Sequence, residues 1–245
     1  MAVPTVVGVG TVAAGVNAIT PGFPTGPLQT NDVLIGAGES VGGESFAIPT
    51  GWLQSLGSPN NITTITRLTD MWKYFQTGDV APSWGDPGNH AVGRILAIRG
   101  AKVSTTPWNV SPVASQITTA TTTATWPAVT TTVNDCLIVF LIATGRDLAT
   151  TANMGALTGG LGLTNIVEQF DNWDASGTGG GIGCITATKA TFGSTGNPTA
   201  TMGSAANTDG MALMTLAIEP VATVAAAAPP PENTNRRLLT RMFSG

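Results

Sequence analysis

Two loop segments place a tryptophan beside acidic side chains, the residue combination in this sequence best suited to binding a small polar ligand. The first segment holds Trp84 and Asp86, and the second holds Trp173 and Asp174. An indole ring offers a flat apolar face, which could stack on the C–H groups of a sugar, and nearby carboxylates can accept hydroxyl hydrogen bonds. The bland alternative is that each ring packs on its own protein. These four residues are therefore candidates for contact with a glycan or a protein partner.

Other residues able to catalyse or to bind metals are few and scattered. His90 is the single histidine, and Cys136 and Cys184 are the two cysteines. A zinc site needs three or four such ligands close together, and no second histidine or cysteine lies near His90. Both cysteines lie in apolar or glycine-rich contexts typical of buried free thiols. With no Gly-x-Ser-x-Gly sequence for a serine nucleophile, we predict no catalytic residue, no metal and no enzyme activity.

Glycine-rich stretches raise the question of a nucleotide cofactor. Residues 8–13 match the loose G-x-G-x-x-A pattern, but a dinucleotide site needs a following helix, and Pro21 and Pro24 follow instead. Residues 177–183 lack the Lys-Ser/Thr pair of a phosphate-binding loop. The sequence therefore predicts no cofactor.

The composition argues against nucleic-acid and membrane partners. Charged residues make up only 10% of the 245 residues, and the net charge is −4, which offers no basic surface for a phosphate backbone. The longest aliphatic run, residues 136–143, is too short to cross a bilayer. No basic residue precedes the apolar N-terminal stretch, so we expect no secretion signal and a protein that stays in the cytoplasm where it is made.

One strand formula occurs twice along the chain. Residues 30–35 read TNDVLI, and residues 132–138 read TVNDCLI. Each copy is followed later in the chain by a second apolar run, at 92–100 and at 211–220. Apolar runs of this length that end at Gly or Pro are typical of buried strands. The repeat predicts an all-β protein, a jelly-roll-like or immunoglobulin-like β-sandwich with two pseudo-repeated halves that share one core.

The predicted organisation has three parts. Residues 1–29 form a lead-in strand or arm, and residues 30–220 form the sandwich, with halves at about 30–107 and 130–220. Within it we expect Trp52 and Trp72 to anchor the core. The threonine-rich tract 118–132 favours an extended edge strand, since threonine is β-branched. Short helical turns near 66–71 or 153–157 stay open.

The last segment, 221–245, changes character abruptly. Consecutive prolines at 229–231 predict a stiff, extended spacer. Beyond it, basic and large apolar side chains alternate over a short stretch, a composition that suits a docking peptide. The predicted docking residues are Arg236, Arg237, Leu238, Leu239, Arg241, Met242 and Phe243.

The first half resembles β-sandwich virion proteins of tailed bacteriophages and prophages. The resemblance covers roughly residues 30–102 and is carried by four motifs: an Asn-Asp strand at 31–35, a Pro-x-Gly-Trp turn at 49–52, an aromatic strand with lysine at 71–75, and an apolar strand ending in Arg-Gly at 94–100. The second half shares it only at 134–143 and 211–220. These motifs are structural and bring no catalytic residues.

The resemblance implies an accessory structural protein of a phage particle, assembled in the bacterial cytoplasm. Capsid decoration or cementing is the first expectation, and a tail or fibre component the second. The expected partners are other virion proteins and further copies of this chain, since accessory capsid proteins surround symmetry axes. A glycan-binding receptor-recognition module is the competing class.

Overall fold

The computed structural model describes residues 1–41, 44–62, 64–85, 88–119, 121–145, 154–174, 179–203 and 210–222. These residues form strands and connecting loops without a helix, which confirms the all-β prediction. The strands are β1 Thr5–Val9, β2 Ala13–Gly15, β3 Val33–Val41, β4 Leu53–Gln54, β5 Asn60–Ile62, β6 Thr66–Tyr74, β7 Ala91–Arg99, β8 Trp108–Ile117, β9 Thr123–Thr125, β10 Thr130–Thr131, β11 Cys136–Thr144, β12 Leu163–Asp174, β13 Gly180–Lys189, β14 Gly193–Ser194, β15 Thr199–Thr201 and β16 Met211–Ile218.

Two main antiparallel sheets share one strand order. The first runs β1-β7-β3-β6-β4, with β2 added on β7 and β5 on β6, and the second runs β8-β16-β11-β13-β12. Counted along each half, both orders are first, fifth, second, fourth, third. The repeated sequence formula leads into β3 and β11, the central strands, and their matched partners β7 and β16 occupy equivalent positions. The two sheets thus have the same topology, and each includes one end strand, β1 or β8, that lies outside the predicted halves 30–107 and 130–220.

The two sheets pack face to face around a central core. Side chains from both sheets meet there, among them Ile35 and Leu96 from the first sheet and Leu141 and Leu216 from the second. Because successive strand residues point to opposite faces, only alternate residues of each strand can enter this core. The packed arrangement is a β-sandwich.

Each sheet is also covered on its outer face. The loops of the first half bury a cluster around Trp84, and those of the second half bury a cluster around Trp126. The small sheets β9-β15 and β10-β14 belong to the second cover. Burial on both faces explains why β11 is apolar at almost every position, with all nine residues buried.

The expectation that the matched strands contribute to a single shared core is only partly right, because each strand also buries residues on its outer face. Leu34, Ile95 and Ala97 lie in the outer cluster of the first sheet. Ile138 lies in the outer cluster of the second. The apolar runs contain no polar alternation, so the sequence did not reveal which residues face which side.

The Asn-Asp pair before each central strand has a conformational role. Asn31 and Asp135 adopt left-handed backbone, with φ of 74° and 63°, which Asn and Asp tolerate better than most residues. Asp32 then accepts hydrogen bonds from the Arg99 guanidinium at 3.0 and 2.8 Å. The Asn-Asp and Arg-Gly motifs of the first half are therefore two ends of one structural contact.

Two local predictions change. Residues 66–71 belong to β6 and form no helical turn. Residues 154–157 are not helical either, and Met154 forms an isolated bridge with Met202, while residue 153 lies outside the described residues. The threonine-rich tract is divided into the short strands β9 and β10, because Pro127 between them cannot donate a ladder hydrogen bond.

Candidate functional site

The first candidate ligand-binding tryptophan is part of the fold. Trp84 is fully buried, and its ring lies on a floor of glycines, where a Cβ at Gly36 or Gly93 would stand 2.8 or 2.2 Å from it. Its backbone pairs with Ile19, and Phe46 meets the ring edge to face at 5.5 Å. A side chain without exposed surface cannot stack on a sugar. The prediction of glycan contact by Trp84 is therefore wrong, and Asp86 lies outside the described residues.

Trp173 is buried in the same way on the other sheet. Its ring lies over Gly181, and its indole N–H donates to Asp171. Asp174 is half-buried at the end of β12. The indole face is used up by packing, so Trp173 does not form a stacking surface with Asp174. Both tryptophans therefore belong to the outer apolar clusters, Trp84 in a covering loop of the first sheet and Trp173 on β12 of the second.

The single histidine joins a buried cluster that the sequence did not reveal. His90 Nε2 lies 3.0 Å from Glu39 Oε2, and both side chains are fully buried. Thr66 donates to Glu39 Oε1 at 2.9 Å. Burial raises the pKa of Glu39 to about 7, although His90 and Thr66 lower it in part. The signal in the sequence was a glutamate inside an apolar strand.

Asp70 is a second buried carboxyl on the inner face of the first sheet. It lies on β6 between Leu68 and Trp72, two positions that face the central core. Among the described residues neither carboxylate oxygen has a hydrogen-bond partner, although the Ser55 side chain lies close enough to lower the pKa in part. Burial outweighs that effect and raises the pKa to about 7.

Arg94 supplies the positive charge of this region. Its guanidinium donates to Gly10 O and to Asn172 Oδ1, both at 2.7 Å, and lies 5.5 Å from the centre of the Phe170 ring. Burial lowers its pKa. Arg94 thereby links the first sheet to β12 of the second. Glu39, His90 and Asp70 are sealed from solvent, so their charges affect the stability of the fold. Arg94 contributes to the pairing of the two sheets.

Both cysteines are buried free thiols, as predicted. Burial, together with the charges of Glu219 and Asp135, raises the pKa of Cys136 to about 12. Burial also raises the pKa of Cys184, although Arg94 opposes the shift. Neither thiol has the lowered pKa of a nucleophile.

An open groove with apolar walls lies among the described residues. It has a volume of about 500 Å³ and lies between β4, at one end of the first sheet, and β8, at the same side of the second. We call it the β4–β8 groove. Its apolar walls include Leu53, Leu56, Trp72 and Trp108, and its polar lining residues are uncharged.

The predicted docking peptide lies outside the described residues, which end at position 222. This holds for Arg236, Arg237, Leu238, Leu239, Arg241, Met242 and Phe243.

Comparison with known proteins finds no match: no protein-family model, no curated protein and no solved structure resembles this chain significantly. Within the described ranges no three His, Cys, Asp or Glu side chains are grouped so that they could hold a metal ion. The same ranges contain no helix with the length and apolar character needed to span a membrane.

Proposed function

We propose that this chain is an accessory structural protein of a tailed-phage particle that decorates or cements the capsid as an oligomer. The observation that carries the proposal is that exposed apolar side chains lie at two sheet edges, at β4 in the first sheet and on β12 in the second. Leu53 on β4 is 54% exposed, and Leu56 follows it at 68%. Ile166 and Val167 on β12 are also exposed. Apolar residues at unpaired sheet edges are suited to contact with further chains.

The composition supports the same proposal. A surface with few charges has little to keep copies apart, and hydroxyl and amide groups at the strand ends can pair with a neighbour's backbone. The motifs shared with phage virion proteins lie in strands and turns that build the first sheet. A tail or fibre component is the second candidate, since the resemblance to phage virion proteins covers tail proteins as well as capsid proteins. The burial of Trp84 and Trp173 favours the structural proposal over a glycan-binding module.

Quantitative mass spectrometry of purified particles from the producing strain tests the proposal. Hundreds of copies per particle would support a capsid or tail-tube position, and a handful would support a fibre or baseplate. The matched control is a strain in which the gene for this chain is deleted, whose particles should lose the protein and show lower resistance to heat or chelators. Absence of the protein from washed wild-type particles would overturn the proposal.

A further inference from the structure

The β4–β8 groove has apolar walls and an apolar rim. Trp72 and Trp108 meet edge to face at 5.5 Å in its wall, and the exposed side chains of Leu53 and Leu56 form its rim. None of the described lining residues is charged. Because β4 and β8 each end a sheet, a peptide between them could also bond to free strand backbone, as in strand addition.

The described chain ends close to this groove. Asn109 lines the groove and donates from its amide to Glu219 Oε2 at 3.2 Å. Ile218 pairs with Trp108, another lining residue. The description ends at Ala222, three residues beyond Glu219, and residues 223–245 follow in the sequence. At about 3.3 Å per extended residue these 23 residues reach up to about 75 Å, enough for a neighbouring molecule.

The sequence of this remaining segment complements the groove. It contains four large apolar side chains that could pack against the apolar lining of the groove: Leu238, Leu239, Met242 and Phe243. The triple proline at 229–231 predicts a stiff, extended spacer in the sequence before residues 238–243.

We infer that the β4–β8 groove binds residues 238–243 of a neighbouring copy, so that each molecule gives one peptide and receives one. Such a contact joins two different surfaces and therefore builds a ring or a row of molecules. The inference deepens the proposed function, on whose oligomeric assembly it rests, by naming the contact that joins the copies.

Site-directed disulfide formation in the full chain tests this contact. Two variants, Leu56→Cys and a mass-tagged Leu239→Cys, are mixed under mild oxidation. We expect the mixed disulfide to form at least tenfold faster than with Leu161→Cys in place of Leu56→Cys. Leu161 is a matched control, because it is 58% exposed and lies beside β12 at the opposite side of the second sheet. The buried native thiols should add little background.

Equal rates for the two mixtures would overturn the inference. A doubly substituted chain carrying both Leu56→Cys and Leu239→Cys is oxidised alongside them. If it forms only a bond within one chain while the mixture forms none, the groove binds its own C-terminal segment, and the assignment to a neighbour is wrong.

Sedimentation of full-length variants gives an independent measurement. Leu56→Asp and Leu239→Asp should each weaken self-association at least tenfold, and the double variant should be no weaker than either. Leu161→Asp should associate like the unsubstituted chain, and circular dichroism checks that all remain folded. Unchanged association in both Leu56→Asp and Leu239→Asp would overturn the inference.

The failure of this inference is distinguishable from the failure of the proposed function. If the protein is found in particles but the Leu56→Cys and Leu239→Cys variants form no mixed disulfide, only the inference is wrong. A protein that links through the groove but is absent from particles would remove the proposed function.

Discussion

The two sheets have the same strand order, yet their inner faces differ in chemistry. The first sheet directs Glu39, Asp70 and Arg94 toward the sheet interface, together with aliphatic residues. In the second sheet, β11 and β16 carry no charged residue at all. The same topology therefore tolerates both a purely apolar interface strand and one with buried charges. At the interface between the sheets, the first sheet therefore places these buried charges, while β11 and β16 of the second contribute apolar side chains.

The outer covers show a parallel difference. Trp84 lies on a glycine floor, where the absence of side chains makes room for the ring. Trp126 instead donates its indole N–H to Leu141 O at 2.8 Å and meets Phe140 edge to face. One cover is fixed by shape and the other by shape and a hydrogen bond. The two outer covers are thus anchored by tryptophans from different connections, one between β6 and β7 and the other between β8 and β11, with similar burial.

The largest effect is expected when either covering tryptophan is removed. Trp84→Ala and Trp126→Ala should each lower the free energy of unfolding by about 3–5 kcal/mol, because a buried ring leaves a cavity that the sheet cannot refill. Urea unfolding measures the loss. Phe192→Ala, at an exposed position, is the control and should change stability by less than about 0.5 kcal/mol. A loss below about 1 kcal/mol for Trp84→Ala would mean that its cover is not part of the folded core.

Because the two sheets share the central core, a destabilising substitution in one sheet should lower the unfolding temperature of both. Leu141→Ala in the second sheet should cost about 2–5 kcal/mol, since Leu141 is buried in the central core between the sheets. Thermal unfolding followed by tryptophan fluorescence and by backbone circular dichroism should show one coincident transition at a lower temperature. Two transitions, of which only one moves, would show that the halves fold as separate domains.

The buried charge of the first sheet predicts a distinctive pH dependence. Asp70 has a pKa of about 7 when folded, against an ordinary value of 3.8, so the folded state holds the proton over this window while the unfolded state has released it. Stability should therefore fall as the pH rises from about 4 to 7. Asp70→Asn should remove this part of the slope and stabilise the protein at pH 8.5 by roughly 1–3 kcal/mol, with little effect at pH 3.5.

Asp79→Asn is the matched control for Asp70→Asn. Burial of Asp79 is outweighed by hydrogen bonds from Lys73 and the Gln76 N–H, which lower its pKa. The control should therefore lose a little stability at neutral pH, the opposite sign. Denaturant titrations across the pH range measure both. If Asp70→Asn is destabilising at pH 8.5, the carboxylate has a favourable partner, and the proposed electrostatic cost is wrong.

The smallest effect concerns the two thiols. Cys136 and Cys184 are buried with raised pKa values, so neither should react with a thiol reagent in the native protein at pH 8. Both should react once the protein is unfolded in urea. Rapid labelling of one thiol under native conditions would indicate local opening of the second sheet, which holds both cysteines, Cys136 on β11 and Cys184 on β13.

The sequence alone was enough to predict the class of fold and the matched strands. The apolar runs after Asn31 and Asn134 had the length of buried strands, and their repetition placed β3 and β11 at equivalent positions. Trp72 was correctly assigned to the central core, whereas Trp52 is buried in the outer cluster of the first sheet. These features succeed because strand length, turn residues and apolar runs are local properties of the chain.

Only the tertiary structure decided the faces and the contacts. His90 and Glu39 lie far apart in the sequence, and the pairing of β3 with β7 brings them within 3.0 Å. Trp84 looked like a loop residue available to a ligand until three glycines on two neighbouring strands were found beneath its ring. Strand register and the path of the covering loops are set by long-range packing, because a shift of one residue exchanges the faces without changing the local sequence.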